Sequence, residues 1–121
     1  PGDWKLTGAD FYRTNSNLTD ADLTNLKDCR NLESINLGET KITDAGLIHF
    51  KDCKTFIRLA LGTTQIGDTG LANFKDCNGL TALELAQTKT GNAGLAHFKD
   101  CKQLTNLDLS VTRVTDAGLA N

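Results

Sequence analysis

"CRNLESINLGETKITDAGLIHFKDC" (29–53) begins and ends on cysteine, and its spacing recurs along the chain. Cys29, Cys53, Cys77 and Cys101 stand 24 residues apart. The same offset relates Leu32, Phe56, Leu80 and Leu104, then Ile35, Leu59, Leu83 and Leu107, then Leu37, Leu61, Leu85 and Leu109. It also relates Thr40, Thr64, Thr88 and Thr112, and again Gly46, Gly70, Gly94 and Gly118, each glycine followed by leucine. A fixed period in this range means a stacked repeat architecture.

Within a unit the apolar spacing changes. "LTNLDL" (104–109) sets Leu107 and Leu109 two apart, the period of a strand with one buried face. "TDAGLIHFKDC" (43–53) sets Gly46, Leu47, Phe50 and Cys53 at helical three- and four-residue steps. Asp20, Asp44, Asp68, Asn92 and Asp116 mark the helix starts, where the side chain is expected to cap an orphan N–H of the first turn. Each unit is therefore a short strand, a turn, a short helix and a return. So small a unit cannot bury its apolar face alone; stacking its neighbours does that.

These features resemble the leucine-rich repeat, L-x-x-L-x-L, and more narrowly its cysteine-containing subtype, C-x-x-L-x-x-L-x-L followed by I-T-D-x-G-L. The resemblance covers residues 18–121, with 5–17 as a degraded first unit. It implies an α/β leucine-rich-repeat solenoid, a right-handed superhelical arc with a parallel sheet on the concave face and short helices on the convex face. It also implies protein–protein interaction through the concave face, with a structural spacer as the second expectation. Three departures stand out: threonine at 40, 64, 88 and 112 where the subtype carries Cys or Asn, a slightly short unit, and "TGN" at 90–92 in place of I-T-D. No F-box segment precedes the repeats, so the ubiquitin-ligase role of many eukaryotic members does not carry over. The short unit is more similar to bacterial proteins of this class.

Residues 1–17 break the pattern and are expected to form a cap or decayed repeat, with Phe11 pointing inward and Trp4 and Tyr12 beside it. An aromatic binding site is the sharper alternative there. No polar cap follows Leu119, so the chain is expected to be a fragment of a longer array, or to have its open end covered by another molecule, including by end-to-end self-association.

The cysteines form a column at sheet spacing, about 4.8 Å per rung. Four sulfurs along it cannot all lie about 2.3 Å from one zinc ion. Parallel side chains are also poorly set for a disulfide. A packed, reduced column is expected, which favours a cytoplasmic setting. His49 and His97 precede Cys53 and Cys101 by four residues, but Asn73 fills the intervening position, so a base–thiol pair is set aside for two solvent-facing helix residues. The Lys-Asp pairs (27/28, 51/52, 75/76, 99/100) form a solvated edge, and the threonine column is expected to satisfy loop N–H groups. Asn17-Leu18-Thr19 is a lone glycosylation sequon.

The formal charge of -2 gives no nucleic-acid footprint, and no apolar stretch is long enough to span a membrane. No basic segment followed by an apolar one marks a signal peptide. Neither catalysis nor a cofactor is expected. The outward strand positions remain: Tyr12, Asn36, Glu39, Arg58, Glu84, Gln87 and Asp108 are the candidate partner-binding residues. They vary between units as readout positions would. Asp10, Glu39, Glu84 and Asp108 outweigh Arg58, so the expected partner is a mildly cationic polypeptide.

Overall fold

The computed structural model describes residues 8–10 and 18–119. Five three-residue strands, β1 (Gly8–Asp10), β2 (Ser34–Asn36), β3 (Arg58–Ala60), β4 (Ala82–Glu84) and β5 (Asn106–Asp108), form one parallel sheet in chain order. From β2 onward the register is the sequence period itself: Ile35 pairs with Leu59, Leu59 with Leu83, and Leu83 with Leu107. The first rung differs. The 24-residue offset would set Phe11 opposite Ile35, but Ala9 stands there, and Asp10 stands beside Asn36 rather than Ser34. Ala9 packs on the core. Trp4, Phe11, Tyr12 and Asn17 lie outside the described residues.

The helical layer is tighter than expected. Asp20–Leu26 and Asp44–Phe50 are 3-10 helices, while Asp68–Leu71 and Asn92–Leu95 begin as α-helix and tighten over Ala72–Phe74 and Ala96–Phe98. Asp116–Leu119 is α-helical. Three residues per turn aligns side chains at i and i+3. Leu47 and Phe50, like Leu71 and Phe74, thus point together into the core, where all four are buried. Between the layers lie Ile35, Leu37, Leu59, Leu61, Leu83 and Leu85 from the strand side. Phe56 stands edge-on to Phe50 and Phe74, with centroids 5.8 and 5.6 Å away, a favoured aromatic geometry. Burial fades at β5, where Leu107 is 41% exposed while its counterparts are almost fully covered.

The "T-D-x-G-L" signature turns out to be a bond between units. The aspartates are the first helical residues, and Thr19, Thr43, Gly67 and Gly91 are the N-caps. Asp44 Oδ1 accepts from the Gly67 N–H at 2.7 Å, Asp68 Oδ1 from Gly91 at 2.7 Å, and Asp20 Oδ1 from Thr43 at 2.8 Å. Thr43 Oγ1 also donates to Asp20. Each side chain therefore serves the next unit's helix start rather than its own. Asn92 does the same with both atoms: its carbonyl accepts from Thr115 N–H at 2.9 Å and its amide donates to Thr115 Oγ1 at 2.8 Å. In the first described helix, the Thr19 N–H is met locally by Asp22 at 2.9 Å. The glycine column follows from this. A Cβ at Gly46, Gly70, Gly94 or Gly118 would run into the carboxylate or amide oxygen of the preceding unit.

The threonine column meets loop N–H groups only weakly and does a second job besides. Thr40, Thr64, Thr88 and Thr112 donate to the carbonyls of Leu37, Leu61, Leu85 and Leu109, each at 2.7 Å. Only long contacts of 3.4 Å reach the N–H groups of Ile66, Thr90 and Val114. The hydroxyl thus closes the corner within its own unit. Thr90, buried where other units carry Ile or Val, is satisfied by Thr88 Oγ1 at 2.8 Å.

Candidate interaction surface

The sheet face away from the helices is open, and its side chains come in two outward rows. One holds Ser34, Arg58, Ala82 and Asn106; the other holds Asn36, Ala60, Glu84 and Asp108. Strands β2 to β5 each end in a tight corner whose last residue, Glu39, Thr63, Gln87 or Val111, has φ of 55–57°. Side chains rarely adopt this left-handed region. It is held here by cross-unit bonds, from Glu39 N–H to the Gly62 carbonyl at 3.0 Å and from Gln87 N–H to Ser110 at 2.8 Å.

Three grooves share this face. Asn36, Arg58 and Glu84 line the first, of about 460 Å³, over a floor of Ala60 and Ala82. Asn36, Glu39 and Glu84 border the second with Gly62 and Thr63. Glu84 and Asp108 border the third, of about 500 Å³, beside Asn106. Glu84 is thus common to all three. Its carboxylate leans over Gly62, where an added Cβ would come within 2.6 Å of Oε1. Ala60, Ala82 and Gly62 stand at outward positions but were not among the candidate binding residues, and their small size opens the grooves. Their signal was there: small residues at outward positions in adjacent units.

The seven candidates are not equivalent. Asn36 Oδ1 accepts from Gly38 N–H at 3.0 Å. Asp108 accepts from Ser110 through Oγ at 2.6 Å and N–H at 3.0 Å, and these bonds hold its carboxyl below the usual range. Both side chains therefore help end their own strands. Gln87 stands apart from the grooves and receives the Thr63 hydroxyl at 3.4 Å. Arg58 and Glu84 are exposed and form no ion pair among the described residues. They are the side chains most free to meet another molecule. Tyr12 lies outside the described residues.

The cysteines line the core side of the stack rather than this face. All four are free thiols; Cys53, Cys77 and Cys101 are buried and Cys29 is half-buried. Cys77 Sγ donates to the Cys53 carbonyl at 3.5 Å, and Cys101 to that of Cys77 at 3.2 Å. Burial pushes the Cys77 thiol up to about 12, and raises Cys101 as well. Such groups are protonated near neutrality, whereas a nucleophile must be a thiolate. His49 and His97 are half-buried rather than solvent-facing, and His49 Nε2 lies 3.4 Å from Thr24 Oγ1. Among the described residues no three His, Cys, Asp or Glu side chains converge as a metal site, and no helix is long and apolar enough to cross a membrane.

No protein-family model matches the sequence, and no curated protein matches it. Solved structures do: 32 chains match. One is an internalin from Listeria monocytogenes, 30% identical, with a TM-score of 0.68 over 82% of this chain. The chain spans 28% of the length of that internalin. The stacked units, the single parallel sheet and this likeness identify the fold as that of a leucine-rich-repeat protein.

Proposed function

We propose that the chain is a protein-interaction module that binds an extended polypeptide across the open, concave face of its sheet. One observation carries this reading: Arg58 and Glu84, exposed and without an ion pair among the described residues, flank a groove floored by alanines. Small floor residues let a partner's backbone approach the sheet, while separated opposite charges fix its direction. Glu39, Glu84 and Asp108 favour basic side chains toward the strand C-termini, and Arg58 favours an acidic one toward the N-termini. The likeness to an internalin from a bacterium supports an interaction module and a bacterial origin. The free thiols suit a reducing compartment, and the exposed Leu107 at the β5 edge suits stacking of a further repeat or a second copy.

The test compares partner capture by wild type, by Arg58→Glu, and by Arg58→Glu with Glu84→Arg, each checked for folding by circular dichroism. Specific capture by wild type that is lost in both variants is the expected result. Equal capture by all three places recognition elsewhere. A spacer role is the second reading, favoured by the scarcity of large side chains on the face: among the described outward positions only Arg58, Glu84, Glu39 and Gln87 are long. Absence of any specific capture by the folded wild type would favour it.

A further inference from the structure

We infer that Asn78–Gly79 is a modification site, an exposed turn at which the asparagine deamidates through a succinimide. The turn is closed by the Leu80 N–H donating to the Cys77 carbonyl at 3.2 Å, leaving Asn78 and Gly79 at its centre. Both residues are exposed. Among the described residues the Asn78 side chain has no hydrogen-bond partner, and neither does the Gly79 N–H. Nothing lies within 4 Å of where a Gly79 Cβ would stand, so the approach of the side-chain amide to the backbone nitrogen is uncrowded. Glycine at this position also allows the local backbone to rotate into the attacking geometry.

The chemistry needs only water. The Gly79 nitrogen bonds to Asn78 Cγ, the Cγ–Nδ2 bond breaks, and ammonia leaves with the former peptide proton. Water then opens the ring, at Cγ to give aspartate or at the α-carbonyl to give isoaspartate, and nothing is oxidised or reduced. Equivalent turns carry Arg30-Asn31, Lys54-Thr55 and Lys102-Gln103, so this is the one unit where the reaction is favoured. The product places a carboxylate in a column otherwise held by Arg30, Lys54 and Lys102. Isoaspartate also lengthens the main chain between Cys77 and Leu80, both buried, so it strains the third unit's register as aspartate does not.

The folded protein is held at mildly alkaline pH and physiological temperature, and conversion is followed by peptide mapping, with Asn31-Leu32 in the corresponding turn as the internal control. Asn78 is expected to convert several-fold faster than Asn31, and Gly79→Ala, which meets no neighbour, is expected to slow it several-fold. The isolated isoaspartate form is expected to melt below the Asn78→Asp variant. Conversion at Asn78 no faster than at Asn31 in the folded protein, or no slowing by Gly79→Ala, would overturn the proposal.

Discussion

Val111 shows how a single residue can work against its own backbone. It is β-branched and 77% exposed, and sits at φ 55° in a corner that glycine or asparagine would occupy without strain. The left-handed region costs an ordinary residue roughly 1–2 kcal/mol. Val111→Asn is therefore expected to stabilise the protein by about 1 kcal/mol in urea unfolding. This corner was not legible in the sequence, because glycine at 38 and 62 precedes the strained position instead of filling it. The buried threonines make a second contrast. Thr88→Val strands the Leu85 carbonyl and is expected to cost about 1–3 kcal/mol. Thr90→Val leaves that bond intact and should change stability by less than about 1 kcal/mol. At Cys77 the folded thiol is pushed from the ordinary 9.0 up to about 12. In that window the unfolded chain loses its proton first, so the stability present below it falls as pH rises. Urea midpoints across this range should decline more steeply for wild type than for Cys77→Ala.

At the scale of the element, the sequence showed where helices begin but not what their first residues do. An aspartate or asparagine at each helix start suggests a local cap, since one unit contains no hint of where its neighbour's N–H groups lie. Only the stacked geometry shows Asp44 reaching Gly67. Asp44→Ala is expected to cost about 1.5–3 kcal/mol, as hydrogen bonds to charged groups do. Asp44→Asn, which keeps the acceptor as Asn92 does naturally, should cost less; equal losses would mean that charge rather than the acceptor matters. The three-residue spacing of Leu47, Phe50 and Cys53 already suited a 3-10 turn. The first strand was misplaced for a plain reason: Phe11 is the larger apolar residue, yet the register is kept by Ala9.

Across the whole molecule, the inward columns were legible because each must fill the same space in every unit, and their identities scarcely vary. The open face could be located from alternation alone, whereas its grooves are easily overlooked, since the residues that shape them are small rather than distinctive. If that face serves recognition and not folding, Arg58→Glu with Glu84→Arg should leave the unfolding free energy within about 0.5 kcal/mol of wild type. Each unit is locked to the next where a carboxylate, or the Asn92 amide, fills the space above a glycine. A double-mutant cycle on Asp20 and Gly46 tests it most directly, because Asp20 oxygen and Cγ atoms account for the nearest contacts an added Cβ would meet. Gly46→Ala is expected to be much less damaging once Asp20 is alanine, with a coupling of about 1 kcal/mol or more. Additive losses, within about 0.3–0.5 kcal/mol, would contradict it.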